Sequence, residues 1–327
     1  MAQLVAWVGR RTVAPGPFPD PAPAPGQSRH DWLAAVSAAR ARHDAAALAA
    51  GALAVETLPP PPDSWAAVDA TWVSLAADTT MRVYTPDGPG PFPAVLLIHG
   101  GAFWMGGGAA GFHLNDALCR QIAAETGAVA FNFDHRLAPE YPYPIPLEDI
   151  SQALDWIVGR AAELKVDADR LALFGISSGA NLVCAAGQRA ASRGSPVLAG
   201  QVLQCPSLDL SPTSARFAGR LTDAANANLI AGAETIASYY AAGTDRHNPG
   251  VSPGLCPDLV GTPATLVVVA EYDHLADDGL SFARRLTSAG VPVTTRTYPM
   301  THTIALPSVF RRMHHETMAW LRGVFND

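Results

Sequence analysis

An α/β fold with a mostly parallel central sheet is what this sequence predicts, on three observations. Short apolar runs alternate with helical stretches from about Ala70 onward, the pattern of successive βαβ units. Most of those runs are unbroken Val, Leu and Ala, as strands covered on both faces are. Apolar residues make up 49% of the 327-residue chain, enough to fill a large core beneath flanking helices.

Taken in order, the chain opens differently from how it continues. Pro15, Pro17, Pro19, Pro21, Pro23 and Pro25 alternate with mostly small residues, which favours an extended chain and forbids a helix interior. Asp31 to about Leu58 is Ala-rich, reads as one or two helices, and is ended by Pro59–Pro62. By itself this region fits a tethered extension or a lid over a pocket. A hairpin is expected over Trp72–Tyr84, with its turn at Asp78–Thr80. Strands are then expected at Ala94–Ile98, Ala128–Phe133, Leu171–Phe174, Gln201–Gln204, Ala264–Ala270 and Val291–Tyr298. Helices are expected at Asn115–Glu125, Leu147–Arg160, Ala180–Arg193, Leu280–Ala289 and Pro307–Phe325. Between Leu210 and Pro263 no strand is visible, only helical patches at Ala224–Ala231 and Glu234–Ala241, so a helical insertion is expected there.

Composition narrows the function. With 22 Lys and Arg against 29 Asp and Glu, the net charge is −7, and no basic run offers a surface to nucleic acid or an anionic membrane. Cys119, Cys184, Cys205 and Cys256 form no C-x-x-C pair, which excludes a zinc ribbon and favours reduced thiols over a disulfide scaffold. No apolar run is long enough to span a bilayer. The opening MAQLVAWVGRR places its positive charges after a short apolar stretch, the reverse of a signal peptide, so a cytoplasmic protein is expected.

The chemistry is carried by three loops that each follow a strand. Gly175-Ile176-Ser177-Ser178-Gly179 is G-x-S-x-G between an expected strand and an expected helix, the nucleophile elbow. Its glycines leave room for a strained turn that lifts Ser177 toward a substrate. Ser178 is off the elbow position; its N–H, at the start of a helix, is better suited to an oxyanion. His99-Gly100-Gly101-Ala102 follows the strand Ala94–Ile98 and can aim backbone N–H groups at one point. The oxyanion donors are therefore expected among Gly100, Gly101, Ala102 and Ser178. His99 reads as a loop-fixing residue rather than the base, and Gly106-Gly107-Gly108 as a flexible stretch. The acid and base should come later, in the order Ser, Asp, His. Asp273 follows the strand Ala264–Ala270 and His302 follows Val291–Tyr298, so Ser177, Asp273 and His302 all fall at carboxyl strand ends, where parallel sheets place their sites. Glu271, Asp277 and Asp278 compete with Asp273; the last two look like first-turn helix residues. His314-His315-Glu316 fails the H-E-x-x-H pattern because position 319 is Ala319, and no P-loop occurs. No metal or organic cofactor is expected.

With these motifs, residues 70–325 resemble the bacterial hormone-sensitive lipase family of α/β-hydrolases. The resemblance rests on His99–Ala102, Arg136-Leu137-Ala138-Pro139-Glu140, Gly175–Gly179 and Asp273-His274-Leu275-Ala276-Asp277. It implies an α/β-hydrolase fold, a serine carboxylesterase acting on short acyl esters, and an N-terminal helical cap to which the insertion contributes. The division implied is an extension with cap helices over 1–62, core over 63–210, cap insertion over 211–262, and core again over 263–327. Expected partners are an acyl ester and, at most, a second copy of the chain, with no nucleic acid and no membrane span. Ala102 replaces the third loop glycine, Ile176 and Ser178 replace Asp and Ala, His135 replaces Tyr and Thr303 replaces Gly, which implies a divergent branch. Amide or lactone hydrolysis, acyl transfer and elimination remain open on the same residues, because a fold does not fix a reaction. A non-catalytic binding module is the remaining alternative, against which the intact triad set argues.

Overall fold

In the computed structural model, residues 16–56, 58, 60–76, 78–212 and 223–326 are described. Pro15, Pro59 and the opening MAQLVAWVGRR lie outside them, as do residues 213–222 of the insertion. The Ala-rich stretch folds as one helix, α1 (Arg29–Glu56). Trp32, Val36, Ala39 and His43 are buried along it at spacings of three and four, the repeat of a single helical face. A short helix, α2 (Asp63–Ala66), leads into the sheet.

The hairpin forms from β1 (Asp69–Ala76) and β2 (Thr79–Thr85). After it come β3 (Phe92–Ile98), α3 (Gly108–Thr126), β4 (Val129–Asp134), α4 (Ile145–Gly159), β5 (Val166–Ile176), α5 (Ser178–Arg193) and β6 (Gly200–Gln204). The chain ends through α6 (Asp223–Ala241), β7 (Thr265–Ala270), α7 (Ala276–Ser288), β8 (Val293–Tyr298) and α8 (Pro307–Val324). The two helical patches expected in the insertion are thus one helix. Gly232 sits inside it, beside Phe18, at a point where propensity alone breaks the pattern.

The eight strands form one sheet in the order β1-β2-β4-β3-β5-β6-β7-β8. β1 and β2 pair antiparallel, β2 meets β4 antiparallel, and every pairing from β4 to β8 is parallel. β3 shows how the layers are built. Leu96 and Ile98 share a core with Leu147, Ile150 and Leu154 of α4 and Leu182 of α5. Val95 and Leu97 face the other way and share a core with Leu118 and Ile122 of α3 and Met313, Met318 and Leu321 of α8. Burial on both faces explains why β3, and β7 after Thr265, are apolar throughout, whereas the edge strand β8 carries Thr294, Thr295, Arg296 and Thr297. Among the described residues no helix is long and apolar enough to cross a membrane.

Candidate active site

Ser177 links β5 to α5 in a left-handed backbone conformation, φ 56° and ψ −116°, that a residue with a side chain rarely adopts. The flanking glycines make it reachable. A methyl group on Gly175 would strike the Gly179 carbonyl, and one on Gly179 would strike the carbonyls of Ile98 and His99 at the end of β3. The turn is held from β6, where the Gln204 carbonyl accepts the Ser177 N–H at 2.8 Å. Asn181, one turn into α5, donates from Nδ2 to the carbonyls of Ser207 (2.8 Å) and Val251 (3.0 Å).

The loop after β8 brings His302 against Ser177, with Nε2 2.9 Å from Oγ. Its Nδ1 lies 2.6 Å from Oδ2 of Asp273, in the loop after β7. The other carboxylate oxygen accepts the Leu275 N–H at 3.1 Å and stands 3.2 Å from Nδ1 of His274. Burial alone would raise the Asp273 carboxyl; the His302 contact, the Leu275 N–H and His274 outweigh it and hold the group below the ordinary carboxylate range. An ionised carboxylate then fixes the imidazole with its proton on Nδ1 and a free pair on Nε2 toward the serine, an arrangement able to deprotonate a hydroxyl.

Of the competing residues, Glu271 is exposed and donates its N–H to the Tyr298 carbonyl. Asp277 and Asp278 are in the first turn of α7. Asp278 Oδ2 accepts the N–H groups of Leu208 and Asp209, so it holds the loop after β6. Glu316 accepts the Tyr298 hydroxyl at 2.8 Å on α8, and His314 contacts Gln121 on α3 at 3.0 Å, both away from Ser177.

The glycine loop lies directly over the elbow. A methyl on Gly100 would sit 3.0 Å from the Ile176 carbonyl oxygen and 3.3 Å from Cβ of Ser177. Among the described residues, no group accepts from the N–H of Gly100, Gly101, Ala102 or Ser178. Ser178 is buried as the first residue of α5. Beneath the loop, His99 is buried with Nδ1 2.7 Å from the Gly100 carbonyl, and its ring stacks on His135 at 4.5 Å between centroids. Burial and the neighbouring His99 push the His135 imidazole down to about 3, so it is neutral in the folded protein. The Gly106–Gly108 stretch, expected to be flexible, is held. The Gly106 N–H is donated to Asp44, Gly107 caps α3 and Gly108 begins it.

Two segments close over this loop. Arg40 of α1 donates to the carbonyls of Trp104 and Ala138 and pairs with both Glu140 oxygens, at 3.0 and 2.6 Å. Arg136, from the same Arg-Leu-Ala-Pro-Glu stretch, is bidentate to buried Asp149. Phe103 stacks on Tyr240 of α6, and Trp104 packs edge-on against His43 of α1 and Tyr239 of α6. Both loop aromatics are fully buried in this cluster. Tyr239 donates its hydroxyl to the Pro19 carbonyl at 2.8 Å, joining α6 to the N-terminal segment.

Sequence reasoning did not find Arg40, Asp44, Asn181 or Asp149, whose partners are scattered along the chain, and it named Glu140 without its partner Arg40. It read Cys205 only as one of four reduced thiols, and the residue is free and buried. The ligand atoms of Cys205, Asp273 and His302 lie within 4.8 Å of one another, the one group among the described residues able to hold a metal ion. Burial and Asp273 push the Cys205 thiol up to about 12, so it is protonated at neutral pH and is a poor ligand and nucleophile.

Residues 95–306 match the family model described as alpha/beta hydrolase fold. Esterase LipI of Mycobacterium tuberculosis is 36% identical over 208 residues, 62% of this chain and 62% of that protein, so the match spans less than two thirds of LipI. Carboxylesterase NlhH of the same organism is 35% identical over 231 residues, 68% of this chain and 69% of that protein. Among solved structures, a bacterial heroin esterase is similar at a TM-score of 0.74 and 27% identity, covering 99% of this chain and 98% of that one.

Proposed function

The chain belongs to the hormone-sensitive-lipase-like family of alpha/beta hydrolases, and from that premise we propose that it is a serine carboxylesterase acting on short-chain acyl esters. The observation that carries this reading is the unbroken hydrogen-bonded series Asp273–His302–Ser177 beneath a glycine loop whose N–H groups find no acceptor among the described residues. The relatives named esterase and carboxylesterase support it.

In this mechanism His302 Nε2 takes the proton from Ser177 Oγ as the oxygen attacks the ester carbonyl. Asp273 stabilises the imidazolium and keeps it oriented. The oxyanion accepts hydrogen bonds from the N–H of Gly100, Gly101 or Ala102 and of Ser178, each worth about 3 kcal/mol in the transition state. His302 returns its proton to the alcohol, which leaves; water, deprotonated by His302, then releases the acid. All three side chains belong to one chain, so a homodimer would carry two independent centres.

Residues 1–62 and 211–262 act in this reading as the cap. The Tyr239–Pro19 hydrogen bond and the Trp32–Tyr239 and Phe103–Tyr240 ring contacts support it. A cytoplasmic location is part of the proposal, supported by four free cysteines. The test is turnover of nitrophenyl esters from acetate to decanoate by the wild type and by Ser177→Ala. Turnover that peaks at short chains and disappears in the variant is expected; equal turnover by both would overturn the serine assignment.

A further inference from the structure

The loop that carries the oxyanion donors has few ties of its own. Within it, Trp104 and Met105 donate to the Gly101 carbonyl. Among the described residues, besides the 2.7 Å contact of His99 Nδ1 with the Gly100 carbonyl, three bonds hold it. The Ala138 N–H donates to the Phe103 carbonyl at 3.0 Å, Arg40 donates Nε–H to the Trp104 carbonyl, and the Gly106 N–H donates to Asp44 Oδ1 at 2.8 Å. Two of the three come from α1. Arg40 and Asp44 are one turn apart, so one face of that helix grips the loop at both places. Arg40 also fixes the third tie, because it binds the Ala138 carbonyl and both oxygens of Glu140.

The Asp44 bond falls where the loop has no slack. Gly106 has φ +81°, and a methyl on it would strike the Gly100 carbonyl. Gly101, at φ +132°, is likewise pressed against the Met105 carbonyl. The loop is therefore folded back on itself, with Gly106 bearing on the peptide unit that carries the Gly101 N–H. Any shift of Gly106 is passed to the donors, and a displacement of about 1 Å in a reacting constellation costs up to about a hundredfold in rate.

We infer that Asp44 and Arg40 are positioning residues for the oxyanion donors, so that α1 serves the chemical step and not only coverage of the site. The inference rests on the esterase reading above. A cap that merely shapes the pocket changes KM; a strut that aims N–H groups at the developing oxyanion changes kcat.

The experiment compares wild type, Asp44→Ala, Asp44→Asn and Arg40→Gln with a nitrophenyl butyrate substrate and a butyl trifluoromethyl ketone, whose hydrate-like adduct places an oxyanion in the same cradle. Asp44→Ala should lower kcat about 10- to 100-fold, with KM within about twofold, and raise the ketone Ki by the same factor as kcat falls. Asp44→Asn keeps an oxygen acceptor and should recover most of the loss. Arg40→Gln should shift kcat and Ki in the same direction and decides the matter if Asp44→Ala does not fold. Unchanged kcat in Asp44→Ala or Arg40→Gln, or a loss confined to KM, overturns the inference and leaves the esterase reading standing. A wild type without ester turnover overturns the reading itself, and the inference with it.

Discussion

Phe103 and Tyr240 lie face to face, ring centroids 4.0 Å apart and planes 11° apart, so the glycine loop is stacked on the insertion helix α6. The Tyr240 hydroxyl is buried and has no hydrogen-bond partner among the described residues. A buried unpaired hydroxyl is a net cost, whereas the ring earns its place by stacking. Tyr240→Phe is expected to keep activity and gain about 1 kcal/mol of stability. Thermal unfolding checks this; a lower Tm would show that the hydroxyl is bonded.

Ser177→Ala is expected to cut ester turnover by several orders of magnitude with unchanged circular dichroism, since members of a triad act as a unit. Ser178→Ala is expected to cost far less, because its main-chain N–H survives. Steady-state rates on nitrophenyl butyrate separate the two. More than about a tenth of wild-type rate in Ser177→Ala would remove it from the nucleophile role.

His135 supplies a pH dependence of stability. In the fold its imidazole is lowered to about 3 from an ordinary 6.5, by burial first and by His99 second. The unfolded chain therefore binds a proton that the native state refuses, and stability falls as pH drops below about 6.5 toward the folded value. Above 6.5 the contribution is complete. His135→Tyr is expected to flatten the fall of Tm between pH 6.5 and 4.5 while changing little at pH 8. Parallel curves for the two proteins would exclude His135 as the source.

Removing residues 1–26 tests the cap without touching Arg40 or Asp44. It deletes Phe18, which packs on His43 and Trp104, and the Pro19 carbonyl that accepts from Tyr239. KM should rise and the acyl preference broaden toward longer chains, with kcat on butyrate retained. An unchanged kcat/KM across the ester series would exclude this segment from the cap.

Much of this was legible in the sequence because each motif brings its own context. A strand run, a G-x-S-x-G turn and a following helical stretch lie within some twenty residues, and sheet topology then puts Asp273 and His302 at neighbouring strand ends. The parts that were not legible involve partners far apart in the chain. Arg40 and Glu140 are held together only by the fold, and nothing near either announces the other. The stack of His99 on His135 depends on β3 lying beside β4. The continuous α6 was obscured by Gly232, which lowers local helix propensity inside the helix.

The base stands just beyond β8, which has a single neighbour in the sheet, β7, and follows the other seven described strands in chain order. Until that strand docks, Ser177 has its elbow but nothing to deprotonate it. A nascent chain thus carries an inert hydroxyl throughout synthesis of the first seven strands, and ester turnover becomes a reporter of completed folding. The same placement hangs the base from an edge strand, one that is open to fraying. Mild denaturant should therefore silence the enzyme before the central strands separate.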